Sequence, residues 1–168
     1  MRLVLFRHGP AEPRNPRRWP DDSTRPLTKE GVAETRKAAH GLASLDLPWN
    51  RVIASDAERA RRTGELVRRA LKIDQPLDHW EELRPGEPAA PILGRIRRLK
   101  LGSKVPVLVG HEPTLGELVG LALWGEAISA VHLSKAGAAL VEFSESSVPG
   151  GGTLEWLLTR RQLTGLGR

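Results

Sequence analysis

Three polar clusters in the chain each follow directly on an apolar run: Arg7-His8-Gly9, Ser55 to Arg59, and Gly110-His111-Glu112. Brought into one crevice, they would supply two histidines and two arginines. The arginine guanidinium is a planar fork that matches phosphate oxygens. Neutral imidazole is a competent nucleophile near pH 7. A second histidine could donate a hydrogen bond to a phosphoryl oxygen and stabilise charge during transfer. Helix N-termini following Ser55 and His111 would add N–H groups aimed at an anion. This set of groups suits phosphoryl transfer through His8.

The elements that would have to position these residues follow from hydrophobic patterning. Arg2 to Phe6 is a short, nearly continuous apolar run and predicts a buried strand. Residues 10–26 hold five prolines and four arginines, so a surface loop is expected there. Thr28 is placed to cap a helix over about 29–45, with Val32, Thr35, Ala39 and Leu42 facing inward. A second strand is expected at 51–54. Ser55 and Glu58 have the spacing of a capping box opening a helix to Leu71, with Ala60, Gly64, Val67 and Leu71 on its buried side. Ile92, Ile96 and Leu99 suggest a third helix at 89–100. Val105 to Val109 reads as a strand, and Leu115, Leu118, Val119, Ala122 and Leu123 as an amphipathic helix with Pro113 near its first turn. Three closing strands are expected at 130–134, 138–143 and 153–158, the last two joined by a hairpin loop over Ser144 to Gly152.

This order of elements predicts an α/β fold: a three-layer sandwich whose mostly parallel central sheet is flanked by helices. Ligands of such sheets bind at the carboxyl ends of the strands, where all three polar clusters fall. With 168 residues, one domain over 1–168 is expected. Hydrophobic residues at 39% and charged residues at 27% suit a soluble globular chain. The absence of cysteine excludes disulfides and thiolate-ligated zinc or iron–sulfur sites. Leu3 to Phe6 is too short for a signal-peptide core or membrane span, which points to a cytoplasmic protein. The net charge of +6 favours anionic partners, although arginines spread among acids also suit a solvated surface.

The clusters also carry a family likeness. Arg7-His8-Gly9 after the first strand resembles the signature of the histidine phosphatase superfamily, the phosphoglycerate-mutase-like enzymes. Ser55-Asp56-Ala57-Glu58-Arg59-Ala60-Arg61-Arg62-Thr63 resembles the second element of that family, and Gly110-His111 its third. Arg25-Pro26-Leu27-Thr28, Glu82-Leu83-Arg84-Pro85-Gly86 and His111-Glu112-Pro113 look like the SixA-type branch of small phosphohistidine phosphatases. The resemblance implies a phosphoglycerate-mutase-like sheet, His8 as the group that carries the phosphoryl, Arg7 and Arg59 as clamps on its oxygens, and His111 completing the phosphate pocket. It implies no metal and no organic cofactor. Two departures stand out: Asp56 replaces the family's usual proline, and Pro10-Ala11 keeps only the alanine of the usual sequence after the histidine. The larger family uses an acidic proton donor, for which Glu81 and Glu82 are nearest and Glu82 is favoured by its place before Leu83. A phosphoramidate nitrogen can be protonated beforehand, so the branch can dispense with a strong donor.

The expected partner is therefore a protein carrying phosphohistidine. A broad phosphomonoesterase of the same superfamily acting on small molecules is the first alternative. A non-catalytic phosphate- or nucleic-acid-binding module is the second. A monomer is the simplest expectation. Arg25 is expected to pack under the 10–26 loop. Arg14, Arg17 and Arg18 are expected to be solvated, and His40, His79 and His132 to be structural or exposed. Trp49, Trp80, Trp124 and Trp156 are expected in packing, leaving Trp19 as the tryptophan placed to meet a substrate.

Overall fold

In the computed structural model, which describes residues 1–99, 101–143 and 150–167, six strands form one sheet. They are β1 (Arg2–Arg7), β2 (Trp49–Ala54), β3 (Asp78–His79), β4 (Val105–Gly110), β5 (Ala138–Glu142) and β6 (Thr153–Leu158), in the order β3-β2-β4-β1-β5-β6. The four strands from β3 to β1 run parallel, whereas β5 and β6 are added antiparallel. The helices are α1 (Lys29–Ala43), α2 (Glu58–Ala70), α3 (Ala89–Arg98), α4 (Thr114–Trp124) and α5 (Arg160–Leu166).

Period-two alternation sends neighbouring side chains of the central strands to opposite faces. Leu3, Leu5 and Leu108 pack with Ile92 and Ile96 of α3 and Leu115 and Leu118 of α4. Val4, Phe6, Val107 and Val109 pack on the other face with Ala39 and Leu42 of α1, Val67 of α2 and Leu163 of α5. This is the expected three-layer α/β sandwich. Each fully buried aliphatic side chain contributes about 1.5–3 kcal/mol, so both faces are needed to hold the sheet. Thr28 caps α1 by accepting from the Gly31 amide, and α4 stops where Gly125 takes φ 78°.

Several expectations need correction. Residues 130–134 form no strand; they cross the end of the sheet, with their backbone bonded to side chains. The Ser55–Glu58 capping box does not form. The Ser55 amide still donates to Val109 of β4, so the chain leaves the sheet too late for Ser55 to cap, and α2 starts at Glu58. The Ser55 hydroxyl instead accepts from the Ala57 amide, and Glu58 pairs with Arg61. Trp124 is 52% exposed rather than packed. Of the expected hairpin loop, 144–149 lies outside the described residues. β3 and α5 were not anticipated. No helix among the described residues is long and apolar enough to cross a membrane.

Candidate active site

The site forms where two neighbouring strands send the chain opposite ways. From β1 the chain passes through α1 to β2; from β4 it passes through α4 on the other face to β5, beyond β1. A crevice opens at such a switch point because no helix covers the ends of both strands. The His8 amide donates to Gly110 at 3.0 Å, and the Ser55 amide to Val109 at 3.0 Å. These bonds start all three polar clusters at one level. The ring centroids of His8 and His111 lie 4.9 Å apart, and both side chains are buried.

His8 Nδ1 lies 2.8 Å from the Gly9 carbonyl. A carbonyl only accepts, so Nδ1 carries the proton and Nε2 keeps its lone pair. Burial lowers the His8 pKa to about 3; Arg59, Arg7 and Lys135 push the same way against the Gly9 bond. Burial likewise takes His111 down to about 2, assisted by His8, Arg59, Arg7 and Arg25. Both imidazoles are therefore neutral in the physiological range. Gly9 is required by close approach, since a Cβ there would fall 1.9 Å from Thr35 Oγ1. Its amide donates to Thr63 Oγ1, and that hydroxyl donates to the Arg59 carbonyl.

Arg59 extends from the first turn of α2 and is only 2% exposed. Its terminal nitrogens donate to the carbonyl of Asp22 (2.7 Å) and to the Asp22 carboxylate (3.0 Å). Arg25 donates to Asp22 and to the Glu12 carbonyl, which ties down the 10–26 loop as expected. Arg7 donates from a terminal nitrogen to Leu133 O and sits 3.1 Å from His132 Nε2. Leu133 N in turn donates to Glu112 Oε1. Burial raises the Glu112 pKa and lowers those of Arg7 and Arg59. Arg7 Nε, Arg59 Nε and His111 Nε2 are buried and have no hydrogen-bond partner among the described residues. Buried nitrogens of Trp19, Trp49, Arg51 and Arg68 are likewise unpartnered, so what distinguishes these three is that they belong to residues gathered at the strand ends beside His8. Both arginines lie close enough to act on both imidazoles, so their charges converge on the pair of rings. The set offers cationic groups to an anion beside a neutral imidazole. Among the described residues, no group of three or more His, Asp or Glu is placed to hold a metal ion.

The structure thus brings His8, His111, Arg7 and Arg59 together. It does not bring Glu82 to them. Glu82 lies on a 3₁₀ turn at Glu81–Leu83 and accepts twice from Arg95, at 2.8 and 3.1 Å. Arg95 itself stacks 4.3 Å over Trp80. Glu82 is not among the charges acting on either imidazole. Asp56, at the family's usual proline position, pairs with Arg84. Trp19 is half-buried under Arg18. Sequence reasoning missed Asp22 and Lys135, named Glu112 in a polar cluster without giving it a role, and read His132 as structural or exposed, and it is exposed. Glu112 adjoins a singled-out histidine and could have been weighed, whereas Asp22 lies 37 residues from Arg59 and left no local signal.

Comparison with known proteins agrees with the geometry. The family described as the histidine phosphatase superfamily (branch 1) matches residues 3–85. An uncharacterised protein of Picosynechococcus is 33% identical over 138 residues, 82% of each chain. Phosphohistidine phosphatase SixA of Escherichia coli is 29% identical over 160 residues, 95% of this chain and 94% of the relative. A solved structure of the protein histidine phosphatase SixA with tungstate superposes with a TM-score of 0.84 at 27% identity, covering 97% of this chain and 99% of that one. Adenosylcobalamin/alpha-ribazole phosphatase of Salmonella typhimurium is 36% identical over 75 residues, 45% of this chain and 36% of its own length.

Proposed function

Because this chain belongs to the histidine phosphatase superfamily, in its SixA-type branch, we propose that it is a phosphatase that passes the phosphoryl group through His8, with a protein phosphohistidine as substrate. The observation that carries the reading is the trio of unpartnered buried donors, Arg7 Nε, Arg59 Nε and His111 Nε2, beside a neutral imidazole whose Nε2 lone pair is free. Those donors would bind the three peripheral oxygens of a phosphoryl group. His8 Nε2 attacks phosphorus, a new P–N bond forms, and the bond from phosphorus to the substrate nitrogen breaks. The other ring nitrogen of the phosphohistidine carries the proton, so the substrate leaves as neutral imidazole with the P–N electron pair on the released nitrogen, and this reading assigns proton donation to no side chain. Water then attacks the phosphohistidine, the P–N bond to His8 breaks, and inorganic phosphate leaves.

Burial of His8 and His111 supports the nucleophilic role. A protonated imidazole has no lone pair to attack with, and at pH 7 neither ring holds a second proton. In sequence, the likeness to SixA spans nearly both chains, whereas that to the ribazole phosphatase spans less than half of either. This difference favours a phosphohistidine protein. The local 36% match keeps a small-molecule phosphomonoesterase as the second reading.

The test is to trap labelled phosphate on the protein and compare a phosphohistidine protein with phosphomonoesters as donors. Acid-labile, base-stable label that is lost in His8→Ala is expected, with faster turnover of the phosphohistidine donor. Label retained in His8→Ala but lost in His111→Ala would reverse the assignment. Binding of phosphate with no turnover of any donor would mark a non-catalytic module.

A further inference from the structure

Beside the reaction site lies an open cleft of about 440 Å³, lined by Arg7, His132, Ser134, Lys135, Arg160 and Arg161. Arg7 is shared: its Nε is buried within the phosphate pocket, and its side chain also forms one wall of the cleft. The cleft therefore continues from the place where a transferred phosphoryl would sit. Its cations come from three separate elements: β1, the segment 132–135 and the start of α5.

Their pairing differs. Arg160 is held by Glu34. Lys135 and Arg161 are exposed, and neither has a carboxylate within ion-pair distance among the described residues. Lys135 is near enough to His8 to lower its pKa. Like charges gathered on one wall repel each other, and an anion placed among them relieves that repulsion. The phosphate pocket does not need these two cations, since Arg7, Arg59 and His111 already supply donors for three oxygens. Ser134 adds a hydroxyl that can donate to an anion.

We propose that this cleft is a subsite for a second anionic group of the substrate, bound by Lys135 and Arg161 while Arg7 holds the transferred phosphoryl. The proposal rests on the phosphatase reading above. The second group is a carboxylate or phosphate a short distance from the phosphorus. It comes either from Asp or Glu side chains flanking a phosphohistidine or from a second phosphate on a small molecule.

The experiment uses two substrate pairs with the full chain. One pair is a phosphohistidine peptide flanked by Asp and Glu, and the same peptide with Asn and Gln. The other is a small diol bisphosphate and its monophosphate. Values of kcat/KM are compared within each pair at low salt and at about 0.5 M salt, for the unaltered protein and for Lys135→Glu, Arg161→Glu and the double variant. Two exposed ion pairs give an expected preference for the anionic member of about tenfold at low salt. The preference should fall towards one at high salt and reverse in the double variant. A preference in the peptide pair alone assigns the second anion to a protein substrate; one in the bisphosphate pair alone assigns it to a small molecule, and one in both to either source. No preference in either pair, or a preference that survives both charge reversals, overturns the subsite. Arg161→Gln adds no repulsion and keeps the test readable if the double variant fails to fold. Peptides hydrolysed at equal rates, with no discrimination between mono- and bisphosphate, sink the subsite and leave the protein-substrate reading standing. Peptides left intact while the bisphosphate is preferred do the opposite.

Discussion

Beyond β1 and β4, His8, His111 and Arg59 are buried beside a half-buried Arg7, and three nitrogens of the four residues are unpartnered. Around β3, at the same end of the sheet, Asp56, Glu81, Glu82, Arg84 and Arg95 form a cluster equally rich in ionisable groups. There every charge has its opposite, and Glu82 and Arg95 remain about one-third exposed. The first cluster keeps neutral a group that water would leave half-protonated near pH 6.5, and it leaves donors without acceptors. Such an arrangement opposes folding and is characteristic of places where the groups are used. The second cluster costs little and contributes little. Abundance of charged residues at a strand end therefore says less about chemistry than whether those residues have already satisfied one another.

Four perturbations would break or sharpen this contrast. The largest effect is expected from His8→Ala, which should lower phosphatase kcat by at least about 10³-fold while leaving Tm nearly unchanged or raised, since it removes a desolvated group. Arg59→Lys should reduce kcat/KM by about 10²-fold, because an ammonium cannot reproduce the fork that spans the Asp22 contacts and a phosphoryl oxygen. Retention of full activity by either variant in a steady-state assay would erase the distinction between the clusters.

The third perturbation is pH. The two histidines have folded-state pKa values of about 3 and about 2, below the unfolded 6.5. Below pH 6.5 the unfolded chain takes up protons that the folded chain refuses. Stability from keeping these rings neutral is thus complete above pH 6.5 and declines as pH falls towards 3. The slope approaches about 1.4 kcal/mol per pH unit for each proton. Urea unfolding at stepped pH should show this decline, and His8→Asn should make it shallower. A pH-independent midpoint between 6.5 and 4 would show that the rings are not held neutral. The smallest effect is expected from Glu82→Gln: under about threefold in kcat and under about 1 kcal/mol in stability, as for a surface pair. A collapse of kcat in that variant, with its basic pH limb lost, would make Glu82 a proton donor and move it into the first cluster.

What could be read from the chain divides along the same line. β1, β4, α1 and α4 were legible because period-two and period-3.6 patterns are local. His8, Arg59 and His111 were legible because each lies at or just beyond a strand end. The partners that decide their state were not. Asp22 closes on Arg59 from a proline-rich loop, and Arg95 pairs with Glu82 across 13 residues. Residues 130–134 look like a strand because their apolar pattern reflects packing of Leu133. Their backbone is satisfied by Glu112 and Arg7 instead of a neighbouring strand. α5, at seven residues, is too short for helical periodicity to show.

One hydroxyl carries more than its size suggests. Thr63 Oγ1 accepts from the Gly9 amide and donates to the Arg59 carbonyl, so a single oxygen joins the loop that carries His8 to the helix that carries Arg59. In mechanical terms it is a pin through two plates. The backbone beside His8 and the backbone of Arg59 are thus linked through two bonds of 3.0 and 2.7 Å. A shift of the helix start is thereby passed to the loop that carries His8 through one shared oxygen.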